Sequence, residues 1–184
     1  HNKNDQCETL LMRFLQGSRG GLQGIFEKRE IFYRPLLNVT RSQIEEYLNF
    51  FNIKWVTDST NTCEDYLRNK IRLKLIPFLN DFFPGWDKAV LSGGKKALAD
   101  EVFLRSCSDS FEIQSDFSGS EKKVYFPLDT FQKLPEAIKI RVLYRTFDLF
   151  MEEKRISFGV IEEFLNKIER SAEKKSDFFE NISI

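Results

Sequence analysis

The chain has 184 residues, with 28 basic and 28 acidic side chains balancing to a formal net charge of zero. At 41% hydrophobic and 30% charged residues, it has the composition of an ordinary globular protein of one large or two small domains, which excludes wholesale disorder. No apolar run approaches 18 residues, which excludes a transmembrane helix, and the balanced charge gives no argument for nucleic acid at the level of the whole chain.

In chain order, Asn4 or Asp5 can cap a helix running to about Gln16, with Leu10, Leu11, Phe14 and Leu15 as its apolar stripe. Asp5 followed by Glu8 has the spacing of a capping box. Gly17-Ser18-Arg19-Gly20-Gly21 ends that helix in a loop, and Ile31-Phe32-Tyr33 reads as a short strand closed by Arg34-Pro35. Thr40 caps the next helix with Gln43 completing its box, and Ile44, Tyr47, Leu48 and Phe51 share one face. Ile53-Lys54-Trp55-Val56 reads as another strand and residues 58–65 as a polar loop. A helix then carries Leu67, Ile71, Leu75, Phe78 and Leu79, with a kink expected at Pro77, which has no amide donor. Phe83-Pro84-Gly85 marks the predicted domain boundary. Beyond it helical periodicity dominates, interrupted by a polar helix end and loop over 106–120 and a short strand, Val124-Tyr125-Phe126. The pattern fades from about residue 171.

The expected architecture is α/β over residues 1–84, a mostly α-helical second domain over 85–175, and a tail over 176–184. Two short strands cannot cover the apolar faces of three helices, and a parallel sheet needs more strands with both faces buried. A sheet-bearing segment upstream of His1 is therefore expected. Cys7, Cys63 and Cys107 are scattered, without a Cys-x-x-Cys, which points to a reducing, cytoplasmic setting and away from a thiolate metal site. Phe is over-used, at 19 residues, mostly at helical spacing beside Leu and Ile, so core packing is expected in preference to base stacking.

Three groupings could carry chemistry. His1, Asp5 and Glu8 stand four and three residues apart, on one helix face. A carboxylate pair there suits an ammonium or Mg²⁺ with an imidazole nearby; the alternative is a capping box with an incidental histidine. Arg68 and Arg72 are i,i+4, a fork suited to phosphate oxygens, preceded by Asp58-Ser59-Thr60-Asn61 and accompanied by Asn69. Ser92-Gly93-Gly94-Lys95-Lys96 lacks the spacing of a phosphate loop and reads as a glycine pair in a helical region. Charge is also uneven: residues 66–105 carry eight basic against four acidic side chains, whereas 41–65 and 106–120 are each net acidic. Further on, Arg141 and Arg145 are i,i+4, opposite a stripe with Val142 and Phe147, and are expected to point outward to phosphates.

His1-(x)3-Asp5-Gln6-Cys7-Glu8-Thr9 with Leu11-Met12, the Gly17-Ser18 and Gly21-Leu22 loop, Arg34-Pro35-Leu36-Leu37, Trp55-(x)2-Asp58-(x)2-Asn61, and Arg68-Asn69-(x)2-Arg72-(x)4-Pro77 resemble, in order and spacing, the tRNA(Ile)-lysidine synthetase family. The resemblance covers residues 1–80. It implies that residues 1–84 are the C-terminal portion of an adenine nucleotide α-hydrolase-like catalytic domain with a pyrophosphate loop, followed by a helical tRNA-binding domain. The implied reaction uses ATP and Mg²⁺ to adenylate the C2 oxygen of the wobble cytidine of a CAU-anticodon tRNA(Ile). The side-chain amine of L-lysine then displaces AMP, which switches decoding from AUG to AUA.

The resemblance casts Asp5, Glu8 and His1 as catalytic, with Asp5 as the candidate Mg²⁺ ligand. Arg34, Asn61, Arg68, Asn69, Arg72, Lys95, Lys96, Arg141 and Arg145 are cast as substrate or tRNA contacts. No membrane partner is expected, and a homodimer is left open. The family's Ser-Gly-Gly-x-Asp-Ser loop is absent from these residues, Gln16 stands in place of a usual Arg, and Asn4 in place of a frequent Asp. The chain alone is therefore expected to be inactive. The competing readings are a pyrophosphate-loop tRNA thiolase, which would want paired cysteines, and a non-catalytic helical RNA-binding module.

Overall fold

The structure, a computed structural model, describes residues 1–19, 21–56, 67–117, 123–150 and 156–173. Helix α1 (Lys3–Leu15) starts at Asn2, whose Oδ1 accepts the Asp5 N–H at 3.0 Å while the Asp5 carboxylate accepts the Asn2 N–H at 2.8 Å. Asn2 is thus the capping residue and Asp5 its box partner, a correction to the expected cap at Asn4 or Asp5. The helix ends where Gly17 takes φ +56°, the left-handed region that glycine enters without a Cβ penalty. The chain then runs back beside α1. The Gln6 side chain donates to the Ile25 carbonyl at 2.7 Å and accepts the Ile25 N–H at 2.6 Å, and Arg13 donates to the Gln23 and Gly24 carbonyls. A Cβ at Gly24 would lie 2.3 Å from Gln6 Oε1, so any larger residue there would push the Gln6 amide out of its place.

Strands β1 (Lys28–Arg29) and β2 (Phe32–Tyr33) pair antiparallel, Lys28 opposite Tyr33. Helix α2 (Arg41–Phe50) begins with the expected box: Thr40 Oγ1 accepts the Gln43 N–H at 3.2 Å, and Gln43 Oε1 accepts the Thr40 N–H at 2.9 Å. Residues 53–56 form no strand. A strand needs a ladder partner for its amides and carbonyls, and among the described residues no strand pairs with 53–56.

Next comes one helical run in three parts: α3 (Leu67–Lys70), a π-helical turn (Ile71–Leu75) and α4 (Ile76–Phe82). The Ile76 N–H reaches the Ile71 carbonyl, five residues back. This widened turn stands directly before Pro77, whose ring crowds the carbonyl four residues earlier and whose nitrogen cannot donate. The expected irregularity is thus met by a π turn placed ahead of the proline.

Helix α5 (Trp86–Asp109) follows Gly85, at φ +85°. Gly93 and Gly94 lie inside it, as the sequence suggested. Gly94 is buried, and a Cβ on it would meet the Leu10 methyls at 2.8 Å. Because the first turns of α5 pack on α1, the chain divides into compact units at Ala99–Asp100. The breaker at 83–85 ends a helix without ending the packing unit. The buried apolar residues of the first unit are Cys7, Leu10, Leu37 and Ile71.

The second unit contains the end of α5 and the antiparallel pair β3 (Gln114–Asp116) and β4 (Lys123–Tyr125). Helices α6 (Leu128–Gln132), α7 (Glu136–Phe150) and α8 (Phe158–Glu173) complete it. Its core joins Phe111 and Phe131 to Ile138, Val142, Leu143 and Phe147 of α7 and Ile161, Leu165 and Ile168 of α8. Phe111, Phe126 and Phe131 form a ring triad with centroids 4.8–6.2 Å apart. In the first unit, by contrast, Phe14, Phe32, Phe50, Phe51, Phe78, Phe82 and Phe83 are all exposed, as are Phe103, Phe117 and Phe158 of the second, so the expectation that phenylalanine marks the core holds only for part of the second unit.

Arg141 and Arg145 do not point freely outward. Arg141 pairs with Glu101 and donates to the Ala137 carbonyl at 2.7 Å. Arg145 donates to the Ser108 and Phe111 carbonyls and lies 3.4 Å from Asp109. Helical spacing gave the right face, but that face meets the end of α5, and both guanidiniums are consumed in tying α7 to it. Among the described residues the only sheets are the two antiparallel hairpins, and no helix is long and apolar enough to cross a membrane.

Candidate functional site

The helical period sets Asp5 and Glu8 on one face of α1, and Arg68 and Arg72 on one face of the α3–π segment packed against it. Arg68 donates through Nη2 to Asp5 Oδ1 at 2.8 Å and through Nε to Glu8 Oε2 at 2.9 Å. Arg72 donates through Nε to Glu8 Oε1 at 2.7 Å and through Nη2 to Glu8 Oε2 at 2.9 Å. The Glu8 side chain is only 4% exposed, against 38% for Arg68 and 26% for Arg72. Buried carboxylates survive only with such partners, and Glu8 accepts three charge-assisted hydrogen bonds. Hydrogen bonding to Glu8 holds the Arg72 guanidinium above its usual pKa, against the opposing effect of burial.

Beside this cluster lies a cavity of about 350 Å³, lined among others by Lys3, Asp5, Glu8, Arg72, Trp86 and Asp87. The Trp86 indole is fixed by donating to Asn80 Oδ1 at 2.8 Å. Cys7 also lines the cavity, and its thiol pKa is pushed up to about 11, first by burial and next by the negative charge of Asp87. A thiol raised this far is protonated at neutral pH and is no nucleophile. Iodoacetamide at pH 8 is therefore expected to label Cys7 about 100-fold more slowly in the folded protein than in urea, as thiolate fraction dictates. Peptide mapping by mass spectrometry reads this, and equal rates would contradict the burial of the thiol.

The structure thus joins Asp5, Glu8, Arg68 and Arg72 into one cluster, which the sequence had offered as two unrelated groupings. The missed signal was complementarity: an i,i+3 acid pair and an i,i+4 arginine pair, some 60 residues apart. His1 is exposed and belongs neither to the cluster nor to the cavity lining. Asn69 is half-buried on α3. Arg34 donates to the Phe26 carbonyl at 3.0 Å, which braces the β1–β2 hairpin. Lys95 and Lys96 are exposed on α5, whereas Asn61 and Cys63 lie outside the described residues. Arg141 and Arg145 belong to the second unit.

Asp5 is poorly disposed to hold Mg²⁺, since one oxygen takes the Asn2 N–H and the other the Arg68 guanidinium. Among the described residues no three acidic, His or Cys side chains converge as metal ligands. A triphosphate cradle needs unpaired amides at a helix N-terminus. Gly93 and Gly94 are interior to α5, so that glycine pair does not provide such a cradle.

Residues 1–79, which include the whole four-residue cluster, match the model of the PP-loop domain family. That stretch is accordingly similar to the PP-loop domains, a class associated with ATP use. The tRNA(Ile)-lysidine synthase of Treponema denticola is 39% identical over 180 residues, covering 90% of this chain and 36% of that protein. The enzyme of the same name from Borrelia garinii subsp. bavariensis is 34% identical, covering 97% and 41%. That of Caldanaerobacter subterraneus subsp. tengcongensis is 32% identical, covering 96% and 38%. The chain is similar to these tRNA(Ile)-lysidine synthases along nearly all of its own length, and it spans about two fifths of theirs.

Proposed function

We propose that the whole protein is an ATP-dependent C–N ligase that joins L-lysine to C2 of the wobble cytidine of a CAU-anticodon tRNA(Ile). The overall reaction consumes lysine, ATP and the cytidine, and yields lysidine, AMP and pyrophosphate. The lysine side-chain nitrogen forms the bond to C2 and loses a proton, while the C2–oxygen bond breaks. ATP supplies the adenylyl group that makes that oxygen a leaving group, with Mg²⁺ as its counter-ion. Residues 1–84 are, in this reading, the C-terminal portion of an adenine nucleotide α-hydrolase-like catalytic domain, and residues 85–175 a tRNA-binding domain, working in the cytoplasm.

The observation that carries the proposal is the cluster itself. Relatives bearing the name share this stretch, and within it residues 5, 8, 68 and 72 form one cluster, of which 5, 8 and 72 line the cavity. Asp5 is the more exposed carboxylate, at 19% against 4% for Glu8, and so the better placed to meet the amine and accept its proton. Glu8 holds Arg68 and Arg72 in place, and Arg68, the more exposed of the two, presents positive charge to tRNA phosphate. Lys95 or Lys96 extends that contact along α5; adjacent helical residues diverge by about 100°, so only one can face a given phosphate. Arg141 and Arg145 are structural in this reading.

The test is turnover by the full-length protein with a CAU-anticodon tRNA(Ile), ATP and radiolabelled lysine. Lysine-dependent AMP release and label in tRNA are expected, and neither from residues 1–184 alone. Tight tRNA binding with no lysine incorporation would favour the RNA-binding module instead, and lysine-independent sulfur transfer the thiolase.

A further inference from the structure

Helix α1 holds the following helices at two places. Glu8 takes the guanidiniums of Arg68 and Arg72, with Arg72 Nε 2.7 Å from Glu8 Oε1. Leu10 meets α5 at Gly94, where a Cβ would lie 2.8 Å from its methyls. Between these anchors the chain runs from α3 through the π turn and α4 into α5. The rotation accumulated along that path is therefore fixed at both ends, and it decides which side chains of α4 face the cavity.

The π turn changes that rotation. An α-helix advances about 100° per residue. Arg72 and Asn80 are eight residues apart, and in an unbroken α-helix they would diverge by about 80°. A π turn absorbs one extra residue, which cuts the divergence to about 20°. The bond from the Ile76 N–H to the Ile71 carbonyl places that extra residue between them. Arg72, Ile76 and Asn80 accordingly line the same cavity, and Asn80 Oδ1 there accepts the Trp86 indole N–H at 2.8 Å. The turn's own sequence, Ile71-Arg72-Leu73-Lys74-Leu75, contains no glycine or proline and suits an ordinary α-helix. What disfavours the α-helical path is Pro77, whose ring would crowd the Leu73 carbonyl and which has no N–H to offer it.

We propose that Pro77 is a positioning residue: by enforcing the π turn it brings Asn80, and with it the Trp86 indole, onto the helix face that presents Arg72 to the cavity. Pro77 is itself exposed and does not line the cavity, so it acts through the backbone alone. The consequence for catalysis rests on the ligase reading above, whereas the alignment does not. The ordinary alternative is that Pro77 merely opens α4, where a proline is tolerated. It could then be replaced without moving anything.

The experiment pairs two variants of the full-length protein. Pro77→Ala supplies the missing donor and removes the ring. The run is then expected to close into an α-helix, turning Asn80 away from Arg72 by about 100°. The second variant adds to Pro77→Ala the deletion of Leu73, an exposed residue of the turn. The deletion removes the extra residue and so restores the alignment with no π turn at all. The NMR signals of the Arg72 Nε–H and the Trp86 indole N–H report the hydrogen bonds to Glu8 and Asn80 directly. At least one should shift in Pro77→Ala, and both should return to their wild-type positions in the second variant. In parallel, kcat/KM for lysine transfer to tRNA should fall about tenfold or more in Pro77→Ala, on the scale that a small misplacement of a reacting group costs. It should recover in the second variant. A substitution that only weakened the fold would be made worse by a further deletion. Unchanged signals in Pro77→Ala overturn the proposal, and so does a change that the deletion fails to reverse. Signals that move and return while lysine transfer stays constant overturn the role in the reaction. If wild type transfers no lysine at all, the ligase reading fails, and the two signals still decide whether Pro77 sets the alignment.

Discussion

Replacing Glu8 with alanine is expected to destabilise the first unit by about 3 kcal/mol, the lower end of what removing one partner from a buried ion pair costs. The lower end applies because Arg68 and Arg72 keep a quarter to two fifths of their side-chain surface in water, which lets them recover part of their hydration. Arg68 would retain Asp5 at 2.8 Å, whereas Arg72 approaches Asp5 at 3.8 Å. Arg72→Ala should cost less, because Glu8 would still be bonded by Arg68. The double variant should cost clearly less than the sum of the two single ones, since they remove the same contact. Urea unfolding followed by circular dichroism measures all three. A loss under about 1 kcal/mol for Glu8→Ala would mean that the carboxylate is not buried among the arginines as described.

Asp5 should behave in the opposite way. Asp5→Asn keeps an oxygen to accept the Asn2 N–H and leaves Arg68 its bond to Glu8, so stability should fall by only about 1 kcal/mol, the scale of a weakened cap. What it removes is one of the negative charges lining the cavity and a proton acceptor. On the proposed reaction, lysine transfer should fall about 100-fold, as when one charge-stabilising contact to a transition state is lost. The two measurements separate the roles: Glu8 as a strut that holds two guanidiniums, Asp5 as a group that meets the reactants. A variant that melts like Asp5→Asn but turns over at the wild-type rate would return Asp5 to the capping box alone.

The local features were readable in the sequence because their physics is local. The capping box at Thr40 and Gln43, the glycine stop after α1, the amphipathic stripes of α7 and α8, and the helical setting of Gly93-Gly94 each depend on neighbours within a turn. The ordered motifs of residues 1–80 likewise pointed to the family that the comparisons then supported. Asp5, Glu8, Arg68 and Arg72 were all singled out from spacing alone.

What the sequence could not supply was partnership across the chain. Periodicity puts Arg68 and Arg72 on one face of a helix, but only the packing of that face on α1 makes them a lid for Glu8 in place of a free phosphate fork. The same holds for Arg141 and Arg145, whose outward face on α7 is covered by the end of α5. Residues 53–56 look like a strand because β propensity is local, yet a strand exists only where a second one pairs with it. The breaker at 83–85 ends a helix by local geometry, whereas the unit runs on to Ala99 because Gly94 lets α5 sit against Leu10. Which charges remain unpaired depends on every other side chain finding its partner first, and that is a property of the folded molecule alone.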